Sequence, residues 1–464
     1  MAAAKGVAFA APSADCSDEM TIADTSLYFY ANNAHSVYAG LVSHMNADIT
    51  APYCGLVQDF TVHHASQVGV QSLYYFSRIV AQKLTVVDCQ VGVEFGLANG
   101  DNPEGYIHFK DSLVIGSHAS SVDCEHKSEM TGSMKIGMMT SPAYASTLEL
   151  PYSYPTASFH KIGLQASRGK YTIVENVVFK HYNRRACPVG EIPRVINLHN
   201  DSEDLVMKHI FKDLVLDDVN QANLLYLTDP DPEQVSLKQC GDFECTGQEN
   251  VLFEFQGTIT QQNNQEFKHP DTPFTVVSNN ELIVDDSCTL NSDWNAYICT
   301  STNWGLLEFE SQDQDKYDRS IQPVMVTSED LKGFNNKLNS FMQRASAGFY
   351  VDQRRLSRFG SLVRTNMDGF TYVKYTGTPP QRQVFELHGA DKDDYMKVSI
   401  DYTRPEMIQV LKDGKKVEPN EIIQGEGIMM PLQGDSCGEN RWDPVNAILE
   451  FTIKGGVGEC NLEL

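Results

Sequence analysis

Phe60-Thr61-Val62 and Gln67-Val68-Gly69-Val70 return, 24 and 23 residues later, as Leu84-Thr85-Val86 and Gln90-Val91-Gly92-Val93. Each copy is a pair of short apolar runs separated by a polar corner. Val and Thr suit a pleated, half-buried surface. Self-similarity at a period of roughly 20–25 residues marks a solenoid, in which each turn buries its apolar side against the next. A looser third copy follows at Leu113-Val114-Ile115-Gly116. A parallel β-helix meets this pattern, because each turn gives one short strand to each face and inward aliphatic residues stack turn upon turn. The leucine-rich alternative lacks its Leu-x-x-Leu-x-Leu signature.

Further runs of strand length continue the pattern at 171–179, 194–198, 210–216 and 224–227. Amphipathic helices are scarce, the best candidate being 328–338 with Ser328 as N-cap and acids in its first turn. After about residue 340 the period changes. Met396, Val398, Ile400 and Tyr402 alternate with Lys397, Ser399 and Asp401, as in a half-buried strand, and 449–454 alternates again. Asp413-Gly414 is a hairpin signal. The expectation is an all-β chain: a right-handed parallel β-helix followed by a C-terminal antiparallel β-sandwich. Its predicted parts are an N-terminal extension over 1–15, the β-helix over 16–265, a β-rich connection over 266–340 and the sandwich over 341–464.

The chain has 464 residues and a net charge of −25, with 41% hydrophobic residues. It is long enough for a large core. No apolar run approaches the ~18 residues of a membrane helix, and the acidity opposes a nucleic-acid partner, which needs a positive footprint. Of the 11 cysteines none forms Cys-x-x-Cys, which argues against ribbon-type zinc and thioredoxin-like sites. Cys240/Cys245, Cys288/Cys299 and Cys437/Cys460 are close couples that read as disulfides of an oxidising compartment. The odd count leaves a thiol free or paired outside the chain. Asn200-Asp201-Ser202 is an N-glycosylation sequon.

Four motifs in order resemble fibrocystin and fibrocystin-like proteins. They are the Cys240-to-Cys245 loop leading into 251–258, Trp294-Asn295-Ala296-Tyr297-Ile298-Cys299, the Arg-Leu-Ser-x-Phe run at 355–359, and Thr-Gly-Thr-Pro-Pro-Gln at 376–381. The resemblance covers residues 150–464 and, more loosely, the repeats before them. It implies an extracellular or ciliary-surface glycoprotein with a parallel β-helix near its membrane-proximal end. Gln343-Arg344-Ala345-Ser346 stands where that family tends to carry a Gly-Trp-Cys-like element, and the family's membrane segment and upstream immunoglobulin-like modules have no counterpart.

Catalytic motifs are missing. There is no Gly-x-Ser-x-Gly and no His-Glu-x-x-His, and the glycines at 163 and 169 are spaced one residue too far for a phosphate loop. His63 and His64, adjacent on a strand, should face opposite sides, one in the core and one at the surface. Asp217-Asp218 and Asp285-Asp286 each offer one carboxylate to a groove, whereas a glycosidase needs two at a controlled separation. Asp313, Asp315 and Asp318, and the acidic run at 229–233, are weak Ca²⁺ candidates without the central Gly of an EF-hand. Tyr74, Tyr75, Phe76, Tyr152 and Tyr154 could stack on sugars, although core packing is the commoner role. The expected function is therefore non-enzymatic, needing no cofactor beyond possible Ca²⁺: a structural or adhesive surface glycoprotein that self-associates or meets other surface glycoproteins. If its coil ends are open, it would stack end to end into a filament or coat, with the odd cysteine available to lock the contact. The runner-up is a glycan-binding or hyaluronan-cleaving protein using Asp217 or Asp285, argued from fold analogy alone.

Overall fold

A computed structural model describes residues 14–15, 31–37, 39–44, 53–65, 68–73, 78–89, 91–95, 106–116, 131–133, 152–153, 162–166, 171–183, 194–198, 208–227, 252–262, 269–279, 284–311, 324–328, 358–375, 382–401, 411–412, 415–416, 437–443, 448–455 and 460–463. Among these are strands, a single 3₁₀ turn at Gln221–Asn223, and no α-helix. Ser328, the expected N-cap, is the last residue of the strand Val324–Ser328, opposite Thr371 and buried; residues 329–338 lie outside the described residues.

The first half of the chain winds through three columns of parallel strands. The first column stacks Tyr53–Gln58, Arg78–Gln82, Tyr106–Lys110, Tyr171–Glu175, the first half of Lys208–Val219, and the first half of Leu252–Gln262, whose second half continues into the second column. The second stacks Asn33–His35, Thr61–His63, Thr85–Val87, Leu113–Ile115, Val178–Tyr182 and the second half of Lys208–Val219. The third stacks Ala39–His44, Val68–Leu73, Val91–Phe95, Ile162–Ala166, Arg194–Leu198 and Leu225–Tyr226. The two sequence repeats are in register: Val62 pairs with Val86, and Val70 with Val93.

Each three-residue strand of the second column buries only its middle residue. Ala34, Val62, Val86, Val114, Phe179 and Leu216 therefore form one buried file through the core. Val57, Ala81, Phe109, Val174, Phe211 and Phe255 form the matching file of the first column. Small residues early and aromatic ones later imply a core that widens along the coil. Gly69 lies where a Cβ would meet the Gly92 carbonyl and a Val86 methyl, each at 2.6 Å.

Two ladders of left-handed residues make the corners. Asp59, Lys83, Asp111, Asn176, Asp213 and Gly257 turn the chain from the first column to the second, all with φ between 50° and 62°. Ser36, His64, Asp88, His181 and Asp218 turn it out of the second, with φ between 53° and 64°. Short polar side chains tolerate this conformation better than branched ones. The N–H groups of Ser36, Asp59, His64, Lys83, Asp88, Asp111 and Asn176 reach the next turn, as in Asp111 N–H to the Glu175 carbonyl at 3.1 Å and Asn176 N–H to the Lys212 carbonyl at 3.0 Å.

Beyond the last turn the pairing becomes antiparallel. Leu252–Phe255 pairs with Phe274–Ser278, which pairs with Ala296–Cys299, which pairs with Cys288–Asn291. Trp294, fully buried, closes the end of the coil. Its indole N–H donates to the Gln221 carbonyl at 2.9 Å, and its own carbonyl accepts from Leu227 N–H at 3.0 Å.

The C-terminal part holds two larger sheets beside the short hairpin of Leu411–Lys412 with Lys415–Lys416. One orders Arg358–Arg364, Trp304–Ser311, Arg382–His388 and Cys460–Glu463; the other orders Val324–Ser328, Phe370–Tyr375, Tyr395–Asp401, Ile448–Lys454 and Cys437–Asp443. Pairing of this kind begins at Trp304, upstream of residue 341, because the two strands at 304 and 324 supply neighbours to strands far along the chain. The sheets are not wholly antiparallel: Phe370–Tyr375 runs parallel to Tyr395–Asp401. The strand between these two belongs to the other sheet, so the chain crosses over and returns in the same direction. Phe385 of one sheet meets Phe451 of the other edge to face, 5.1 Å between ring centres.

Candidate functional site

The outward side chains of the coil line up turn by turn, so chemistry on this surface is decided by rung-to-rung neighbours. Asp217 pairs with Lys180 on the adjacent rung at 2.7 Å. Asp218, at a corner, accepts from Asn183 at 3.0 Å and lies 3.0 Å from the His181 imidazole. Asp285 caps the turn into its own hairpin, accepting from Ser287 N–H at 2.8 Å, and faces Arg364 at 3.2 Å. Asp286 is exposed beside it. The two doublets lie on different elements, one on the coil flank and one by the disulfide hairpin.

A richer cluster escaped sequence reading. Glu175 takes Lys212 at 2.7 Å and His108 at 3.0 Å, joining three successive rungs of the first column. The Lys212 ammonium holds the Glu175 carboxylate below its usual range, and burial, foremost, holds His108 below its own. His108 lies 67 residues before Glu175 in sequence, and Lys212 lies 37 residues after it. The insertion at 117–161 breaks the period between them, which hides their alignment.

His63 and His64 do not face opposite sides. The left-handed φ of 56° at His64 folds the chain back, so the two rings meet edge to face with centres 5.4 Å apart. Neither is in the core; His63 is half-buried and His64 is exposed. His35, one rung earlier, stacks on His63 with centres 5.1 Å apart and ring planes 10° from parallel. His64 Nδ1 lies 2.8 Å from an Asp88 carboxylate oxygen. His35 was legible in principle, since aligning 33–35 on 61–63 needs only an offset of 28 residues.

Cys288 and Cys299 form a disulfide across directly opposed strands. Around this hairpin lies an open pocket of about 380 Å³, lined by Pro270, Thr289, Leu290, Asn291, Ile298 and Thr300 among others. Cys437 lies opposite Ile453 and Cys460 opposite Phe385. The two therefore stand on different sheets, and a bridge between them would join the sheets, because the last strand leaves the sheet of its predecessor. Cys89 is a buried free thiol that burial pushes up to about 12; it is not exposed to lock a contact between molecules. Cys240, Cys245, Asn200, Asp313, Asp315, Asp318 and the acidic run at 229–233 lie outside the described residues. Among the described residues no three His, Cys, Asp or Glu donors are gathered round one point, and no helix is long and apolar enough to cross a membrane.

These features define an all-β chain whose first part is a stack of parallel turns and whose outward polar residues bind one turn to the next. No family model matches it. It is similar to Fibrocystin-L of Homo sapiens, 20% identical over 497 residues covering 92% of this chain, and to Fibrocystin-L of Mus musculus, 21% identical over 495 residues with the same coverage. The chain spans about a tenth of the length of these curated relatives, 11% in each case. Together with the ordered motifs, the two matches support a fibrocystin-like family for the chain.

Proposed function

We propose that this chain is a structural segment of an extracellular or cell-surface fibrocystin-like protein, built as a right-handed parallel β-helix joined to a β-sandwich, and that its work is to display binding surfaces rather than to catalyse. The engagement of the candidate carboxylates carries this reading. Asp217 is tied to Lys180 and Asp285 to Arg364, so each holds the scaffold together. A retaining or inverting glycosidase instead needs two carboxyls facing each other across a cleft.

The surface role runs through the sides of the coil. End-to-end stacking needs an open ladder at each end, whereas Trp294 and the antiparallel strands from 274 to 299 occupy the C-terminal end. The net charge of −25 keeps such a surface soluble and favours cationic partners. The test is a screen of the purified chain against hyaluronan and other acidic polysaccharides, with Asp217→Asn and Asp285→Asn alongside. The expected result is no cleavage by any of the three proteins, and a lower melting temperature for the variants. Cleavage by the parent chain that disappears in either variant at unchanged melting temperature would overturn the reading.

A further inference from the structure

The hairpin that closes the coil carries an edge that the structural role leaves unused. We propose that the outer edge of the strand Cys288–Asn291 is a docking site for an extended segment of a partner protein, apolar at its centre and bearing Lys or Arg on either side, which adds to the sheet as a further strand. The site lies beyond the last turn and not on the flanks of the coil, so it stands or falls apart from the reading above.

Three observations carry the assignment. The first is the direction of the backbone groups. Among the described residues Cys288–Asn291 pairs only with Ala296–Cys299. The Thr300 N–H donates to the Ser287 carbonyl at 3.2 Å, so Ser287 turns toward its partner strand. The Cα atoms of Cys288 and Cys299 stand 4.0 Å apart, the close approach of an antiparallel pair that exchanges no hydrogen bonds. Alternation then turns Thr289 inward and Leu290 outward. Leu290 thus directs both its N–H and its carbonyl to the open edge. Cys288 adds its carbonyl there, while its N–H donates to the Asp285 carbonyl at 3.3 Å. Outward groups of this kind are a template for another strand, the mode by which sheet edges capture extended peptides.

The second is the side chains at this edge. Leu290 is 48% exposed, the only exposed large apolar side chain among the described residues. The open pocket of about 380 Å³ is lined by Thr289, Leu290 and Asn291 in succession. Successive residues of a strand point to opposite faces, so a pocket that all three line follows the edge of the strand and not one of its faces. Pro270 and Ile298 also line it and give an apolar wall for a side chain of the incoming strand.

The third is charge, which selects the occupant. The stretch from 269 to 303 holds five acidic residues and no Lys or Arg. Asp286 and Asp293, which bracket the strand, and Asp271, beside Pro270, are all exposed. A second copy brought antiparallel to this edge, Leu290 to Leu290, would set Asp286 of each within one residue of Asp293 of the other. Like charges facing across strands repel, so the complementary occupant is a strand with cationic flanks.

The test is fluorescence anisotropy of the full chain with a labelled peptide, Lys-Lys-Val-Thr-Val-Thr-Val-Lys-Lys, at low salt. One peptide per chain should bind. Leu290→Pro removes only an N–H that the hairpin ladder does not use, a change that edge strands tolerate. It should leave the melting temperature unchanged and weaken binding about tenfold, the factor that one hydrogen bond is worth. The same peptide with alternate amides N-methylated keeps its charge, cannot pair as a strand and should not bind. A measurement that needs no variant is hydrogen exchange in the parent chain. Saturating peptide should slow exchange of the Leu290 N–H and leave that of Thr289, already in the ladder, unchanged. No binding at millimolar peptide, equal binding of the methylated peptide, unaltered binding by Leu290→Pro or an unprotected Leu290 N–H would overturn the proposal. A dimer in sedimentation that Leu290→Pro dissolves would put a second copy on this edge and overturn it as well.

Discussion

The parallel coil and the C-terminal sheets are both made mostly of short strands, yet they are held by different rules. In the coil most rungs pair with the equivalent rung one turn away, and each buried file is one residue wide. In the C-terminal part Trp304–Ser311 pairs with strands that begin at 358 and 382, and Arg382–His388 pairs with one that begins at 460. Stability in the coil is close to a sum of turn-to-turn contacts. In the sheets it depends on closing long loops before any contact is gained. The coil should therefore be most sensitive where its stack ends, and the sheets where distant strands are tied.

The largest effect should come from removing the cap. Trp294→Ala takes a fully buried indole off the last turn, and loss of an aromatic from a core costs about 3–5 kcal/mol. The N–H and carbonyl groups around Gln221 and Leu227 would face solvent. Urea unfolding should show the midpoint falling, with hydrogen exchange rising first at 208–227 and only later in the C-terminal sheets. Uniform exchange across both regions would mean that they unfold as one unit.

Next in size is the bond between the regions. Lys208, on the coil, donates to the carbonyl of Gly389 at 2.7 Å and pairs with the carboxylate of Glu254. Lys208 and Glu254 are both largely buried, and Gly389 has φ +70°, with the Lys208 Cβ 2.9 Å from where a Cβ would stand. Lys208→Met leaves Glu254 buried without its partner, which costs about 3 kcal/mol or more. The paired change Lys208→Met with Glu254→Leu removes both charges and should recover most of that loss in a double-mutant cycle. Calorimetry of Lys208→Met should split one transition into two if this contact couples the regions.

The coil was the more legible region because its period is written locally. Val62 over Val86 and Val70 over Val93 follow from two copies of one pattern. What the pattern did not carry is the corner geometry. His64 in a left-handed turn reads as an ordinary strand residue, so its approach to His63 has no signal in the local pattern. In the C-terminal part alternation identified the strands at 395–401 and 448–454, but alternation says which face is buried and not which neighbour is chosen. The parallel pair of Phe370–Tyr375 with Tyr395–Asp401 and the separation of Cys437 from Cys460 onto two sheets are both neighbour choices. The Lys208–Glu254 contact with Gly389 spans 181 residues and has no local signature.

A smaller effect, about 2 kcal/mol at pH 5, is expected from the acid side. His209 sits fully buried beside Phe253, with no hydrogen-bond partner at either ring nitrogen among the described residues, and burial pushes it down to about 3. The folded chain therefore keeps this imidazole neutral where the unfolded chain protonates it. Its share of stability is complete above the ordinary histidine range near 6.5. It is lost as pH falls toward about 3, at about 1.4 kcal/mol per pH unit while only the unfolded state binds the proton. His209→Phe should flatten that part of the stability curve and leave stability at pH 8 nearly unchanged. An unaltered acid slope in urea titrations at pH 4 to 6 would show that other groups set it.

The smallest and sharpest comparison is between two asparagines in the same left-handed conformation. Asn176, at a coil corner with φ 52°, points outward and touches only Asp111 at 2.7 Å among its side-chain contacts described here. Asn366, in the C-terminal part with φ 58°, accepts from Tyr395 N–H at 3.0 Å through its side chain and donates to Asp394. Glycine adopts this backbone freely, so Asn→Gly isolates what the side chain contributes beyond conformation. Asn176→Gly should change stability by a few tenths of a kcal/mol, because an exposed polar contact contributes little. Asn366→Gly should cost about 1–2 kcal/mol, the worth of the lost hydrogen bonds and of a Tyr395 N–H left unpaired. Alanine at either site should add about 1 kcal/mol for the left-handed backbone. Equal costs for the two glycine variants would mean that the Asn176 corner is held by its side chain after all, rather than by the N–H bond that it sends to the Lys212 carbonyl on the next turn.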